Sequence, residues 1–192
     1  MAIKSVKNKT RSGSLLIGNS PYVPPSFESI ATATGTGSSP TITFSSIPST
    51  YKHLQLRILG RTDNASTGAL VEAFVNGDTG QNYAFHRLQA DGTSASANGG
   101  ASQFSIQSLI RATGASAAAN IMTASIIDIH DYTSTTKAKT IRSFYGFDFN
   151  GSGNVYLGSG LWTSTSAVTS LTLTAVANWT TNSVFSLYGI KG

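Results

Sequence analysis

Eight carboxylates and three imidazoles are all that this cysteine-free chain offers for acid–base or metal chemistry. The carboxylates are Glu28, Asp63, Glu72, Asp78, Asp91, Asp128, Asp131 and Asp148, and the imidazoles are His53, His86 and His130. Glycoside hydrolysis needs two carboxylates across one bond. Asp128 and Asp131 are the closest couple, but odd spacing on a strand sends them to opposite faces. Asp128 and His130 share a face and could be half of a metal site, yet two further ligands are missing from the pattern. No G-x-S-x-G elbow supports a nucleophilic serine. The glycine pairs 35/37, 151/153 and 158/160 lack the strand-to-helix setting of a phosphate loop. Trp162 and Trp179 could stack on sugars, but beside apolar runs they read as core or subunit contacts. The expectation is a protein that is not an enzyme, with no catalytic residue, no cofactor and no metal.

The elements that would carry such residues are strands. Ile42 and Phe44 alternate with threonines; Leu54, Leu56 and Ile58 alternate with His53, Gln55 and Arg57; Val71, Ala73 and Val75 share a face and run into the turn-former Asn76-Gly77. Further runs cover 83–88, 103–110, 121–130, 140–149, 154–162, 170–176 and 183–190. Ile141, Tyr145, Phe147 and Phe149 fit one face, whereas Ile126 and Phe144 break the alternation, as in strands partly covered on both sides. Asp63-Asn64, Gly99-Gly100, Asn150 to Gly153 and Gly158 to Gly160 read as turns. Thr32 to Ser39 and Gly92 to Ser102 read as loops or edge segments, and Ala112 to Asn120 as a loop. No amphipathic helix is visible. The reading is an all-β antiparallel sandwich, with a jelly roll as its leading form and an extended N-terminal arm.

Charge divides the chain. Of 13 basic residues, Lys4, Lys7, Lys9 and Arg11 fall in the first eleven positions, while charged residues make up only 11% of the whole. Residues 1–26 therefore form an arm, basic at first, apolar at Leu15, Leu16 and Ile17, and stiffened by Pro21, Pro24 and Pro25. Residues 27–192 form a single sandwich domain. So few charges protect a free monomer poorly against association, which implies a surface covered by copies of itself or by a partner. No window approaches the roughly 20 apolar residues of a membrane span, so no membrane role is expected, and the chain is expected to be made in the cytosol. Four cations would give weak nucleic-acid binding on their own, which argues against a genome-packaging coat arm.

Several stretches resemble small virion structural proteins of tailed bacteriophages, especially cyanophages. They are the arm MAIKSVKNKTRSGSLLIGN, TFSSIPSTYKHLQLR (43–57), FVNGDTGQNY (74–83), IHDYTSTTKAKT (129–140), GLWTSTSAVTSLTLT (160–174) and SVFSLYGIKG (183–192). The resemblance spans nearly the full chain and carries no catalytic motif. It implies a virion part assembled in the host cytoplasm: a capsid decoration (cement) protein first, a tail or head fibre component recognising host glycans second. An RNA-virus-type jelly-roll coat is the third reading. The expected partners are further copies of the chain, as a homotrimer, and the major capsid protein or another virion protein. The arm residues Lys4, Lys7, Lys9, Arg11, Leu15, Leu16 and Ile17 are the expected partner-binding site.

Overall fold

The computed structural model describes residues 26–192 in full, and of the preceding segment only the backbone of 16–17 and 20–21. Those two pieces, β1 (Leu16–Ile17) and β2 (Ser20–Pro21), pair with each other antiparallel. Twelve strands follow: β3 (Phe27–Thr34), β4 (Thr41–Phe44), β5 (His53–Gly60), β6 (Gly68–Val75), β7 (Tyr83–Ala90), β8 (Ala95–Gln103), β9 (Arg111–Thr113), β10 (Thr123–Ile129), β11 (Lys139–Asp148), β12 (Gly153–Trp162), β13 (Leu171–Ala175) and β14 (Val184–Ile190). All pairings are antiparallel save one isolated bridge, Arg61 with Thr113.

Eight of these strands pair as one long hairpin rolled on itself: β3 with β14, β4 with β13, β5 with β10, and β6 with β9. Because β14 also joins β5 and β13 also joins β6, the roll splits into the orders β3-β14-β5-β10 and β4-β13-β6-β9. That is a jelly roll. Two inserted hairpins, β7-β8 and β11-β12, widen the first sheet to β3-β14-β5-β10-β11-β12-β7-β8.

Period-two alternation sets the core. Leu54, Leu56, Ile58, Ile127, Ile129 and Leu187 face inward from the wide sheet and meet Ile42, Phe44, Val71, Val75 and Leu173 of the narrow one. The wide sheet overhangs its partner, and the segment 104–110 covers part of the overhang with buried Ile106, Leu109 and Ile110. This segment, expected as a strand run, forms only one bridge, Ala73 with Ile106. It lies so close that a Cβ at Gly158 would sit 2.2 Å from the Ser108 carbonyl oxygen, and one at Gly160 would sit 2.6 Å from Ile106. The glycines read as a turn at 158–160 are therefore mid-strand, where another backbone presses on the sheet. Gly99 and Gly100 likewise lie inside β8 rather than in a turn. The Asn76-Gly77 signal holds, with φ of 52° and 67°, but it carries the chain from the narrow sheet to the wide one. Trp162 and Trp179 are both core residues.

One polar hub fixes that crossing. Asp78 accepts from the Trp162 indole N–H at 2.7 Å, from the Gly80 backbone N–H at 2.9 Å and from the Asn82 amide. The Tyr83 hydroxyl donates to the Asp78 carbonyl at 2.9 Å. The Trp162 bond, followed by the Gly80 N–H, holds the carboxyl below its usual range. Asp78→Ala strands the indole N–H of a buried tryptophan and should cost about 1–3 kcal/mol in urea unfolding. The wild-type margin from this group is present at neutral pH and lost as pH falls through the lowered folded pKa. An unchanged urea midpoint at pH 7 would show that the hub does not hold the crossing.

Candidate functional site

The expected arm residues Lys4, Lys7, Lys9, Arg11 and Leu15 lie outside the described residues, as do the side chains of Leu16 and Ile17. The acidic and imidazole candidates are not brought together. Asp128 accepts from the Gln55 amide at 2.8 Å, and the Gln55 carbonyl accepts from Arg57 Nε at 2.9 Å. His130 stands edge-on to His53 at 5.1 Å between ring centres. Asp131, at φ 49° after β10, pairs with Lys52 and Lys137 at 2.5 and 2.6 Å, bonds that hold its carboxyl well below the usual range. Among the described residues no three His, Asp or Glu side chains converge as metal ligands.

What the fold does assemble is a surface that catalytic candidates did not signal. No described element packs on the outer face of the wide sheet, and strand register places its apolar residues in straight rows. One row runs Ser186, Arg57, Ile126, Phe144, Leu157, Leu88, Ala97 across seven adjacent strands. Its four central members are large and exposed, Phe144 at 58% and Leu157 at 57%. The neighbouring row runs Val184, Leu59, Ala124, Gly146, Val155, Ala90, Ala95. Ala124, Gly146 and Ala90 make most of its centre small, while Val155 and Leu59 stand exposed in the same row. The face thus carries a ridge beside a trough, and two depressions of about 620 Å³ each share Ala124, Gly146 and Val155 in their walls.

The fold dictates the trough at its deepest point. A Cβ on Gly146 would meet the Asn154 carbonyl oxygen at 2.7 Å, so β11 and β12 close together only around a glycine. At the β14 end of the ridge, Arg57 lies over the rings of Phe27 and Tyr188, at 5.2 and 5.5 Å. This cation–π clamp, braced by Gln55 and Asp128, ties the start of β3 to the outer face.

Ile126 and Phe144, which break the sequence alternation, are therefore the visible trace of this face, exposed instead of partly covered. Individual exposed hydrophobics are ordinary; contiguous ones mark interaction sites. Among the described residues the centre of this face is apolar, formed by Ile126, Phe144, Leu157 and Leu88. The chain matches no protein-family model, no curated protein and no solved structure.

Proposed function

We propose that the chain is a structural subunit of a tailed-bacteriophage virion, a capsid decoration protein that docks on the shell through residues 1–26 and reinforces it. One observation supports this reading above the others. All eight strands of the roll lie between Phe27 and Ile190, so the basic and apolar N-terminal segment supplies none of them. The roll is built without strands from that segment, which supports its use as a docking arm. The resemblance of the arm and five body segments to phage virion proteins points the same way. The role is binding, not catalysis.

In the docked state Lys4, Lys7, Lys9 and Arg11 meet acidic shell surface, and Leu15, Leu16 and Ile17 fill an apolar groove. Exposed ion pairs contribute about 0–1 kcal/mol each, whereas a fully buried leucine or isoleucine contributes roughly 1.5–3 kcal/mol. Deleting residues 2–20 should leave the circular dichroism spectrum intact and sharply reduce binding to particles that lack the protein. Replacing the apolar trio with serine should weaken binding more than replacing the four cations. Full binding by the deletion refutes arm docking. Immunogold labelling on the tail in place of the head would assign the chain to a fibre instead.

A further inference from the structure

We propose that the outer face of the wide sheet joins two copies of this chain, packed face to face about a two-fold axis that runs along the boundary between ridge and trough. The inference stands apart from the virion reading and rests on shape, charge and size.

Shape comes first. An axis lying along the rows exchanges them, so the large row of each copy meets the small row of the other. Ile126 comes over Ala124, Phe144 over Gly146, Leu157 over Val155 and Leu88 over Ala90. A two-fold contact must be complementary to itself, and Ile126, Phe144 and Leu88 facing Ala124, Gly146 and Ala90 meet that condition, with Leu157 set against Val155. The strands of the two sheets then run antiparallel and nearly aligned, as in ordinary sheet packing.

Charge selects the same orientation. Along β11 the outward residues read Thr140, Arg142, Phe144, Gly146, Asp148, basic on one side of the apolar rows and acidic on the other. Asp128 stands beside Arg142 in the same row, so the selection rests on the β11 pair. The two-fold brings Arg142 of each copy to Asp148 of its mate. A two-fold along the strands would instead set Arg142 level with Arg142. The face as a whole carries both signs, Arg57 and Arg142 against Asp128 and Asp148, which suits a second copy of the same face.

Size suffices. Seven strands at about 4.8 Å spacing and roughly 20 Å of strand length give a footprint of about 670 Å² per copy before side-chain relief. Doubled, this lies within the roughly 1,200–2,000 Å² of specific protein interfaces.

The test is sedimentation of the full chain across the micromolar range. The expected species has twice the 20.0 kDa chain mass. Phe144→Asp, on an exposed site, should raise the dissociation constant tenfold or more, roughly the effect of losing a central apolar anchor. Ala124→Phe, which fills the trough, should do the same, with thermal melts confirming that both variants fold. Arg142→Asp and Asp148→Arg should each weaken the pair, and the double variant should restore it. About 20 Å separates these two residues within one copy, so recovery arises only between copies. A monomer at high micromolar concentration overturns the proposal. So does a trimer, a dimer indifferent to Phe144→Asp, or a charge-swapped double no better than its parents.

Discussion

Replacing Trp179 with alanine should cost about 3–5 kcal/mol, the range for deleting a large buried aromatic. The side chain is fully buried and meets Phe185 edge-on at 4.8 Å between ring centres. Its backbone N–H donates to the Ser39 carbonyl and its carbonyl accepts from the Gly37 N–H, which pins the β3–β4 connection over the end of the roll. Gly60, at the end of β5, leaves room for the ring: a Cβ there would stand 3.1 Å from it. Three connections thus close around one indole, and alanine would leave a cavity that these tethered backbones cannot fill. Against a typical total of 5–15 kcal/mol, that loss threatens folding at ambient temperature. Trp179→Phe should be clearly milder, because the indole N–H finds no acceptor among the described residues and only ring volume is lost. Urea unfolding followed by far-ultraviolet circular dichroism checks both variants. A loss below about 1 kcal/mol for alanine would mean that the end of the roll collapses onto the gap.

Alkali should unfold the protein cooperatively between about pH 10 and 12. Burial pushes the Tyr83 and Tyr145 hydroxyls up to about 12. Burial likewise raises Tyr132 and Tyr156, and the bond to Glu28 raises Tyr51. A folded pKa above the unfolded value means that the stability is fully present below about pH 10 and is lost as pH rises through the folded value. Two shifts of about two units, at roughly 1.4 kcal/mol per unit, together remove about 5 kcal/mol by pH 12. Lys139 opposes this, since burial lowers its ammonium pKa and stability from that group grows as pH approaches the ordinary lysine range. It is one group against five. Phenolate absorbance should rise in step with the loss of circular dichroism. Tyr145→Phe should move the midpoint upward with little cost at pH 7, since the hydroxyl has no acceptor among the described residues. Tyr83→Phe should cost stability at pH 7, because that hydroxyl bonds Val75 and Asp78. Phenolate absorbance from all seven tyrosines near pH 10 with the spectrum intact would contradict the assignment.

The parts of the fold legible in the sequence were those where one face is apolar and the other polar. Leu54, Leu56 and Ile58, or Val71, Ala73 and Val75, declare strand and inward face at once. β3 and β8 did not, because FESIATAT and ASANGGASQ are built of small and polar residues with little apolar contrast. What makes β8 a strand is its neighbour β7 and the turn at Asp91, whose carboxylate accepts the backbone N–H groups of Thr93 and Ser94. The glycines at 158 and 160 were misread for a related reason: their cause is a segment fifty residues away. The outer face left a trace in Ile126 and Phe144, but a row exists only across strands. Its other members, Leu157 and Leu88, join it through register, which no single stretch of sequence contains.

The pairing of β14 between β3 and β5 also governs when this protein can exist at all. Glu28 and Lys191, joined at 2.5 Å, are 163 positions apart. A chain still emerging from the ribosome has β3 and β5 in hand but not the strand that bridges them. The β11-β12 hairpin is local and can form early, whereas the roll must wait for β14. Folding of such long-range pairings is slow, in the millisecond-to-second range, and until it is complete the strand edges stand open to neighbouring nascent chains. Loss of residues 184–192 would therefore remove the keystone of the wide sheet and leave a product able to associate but unable to close.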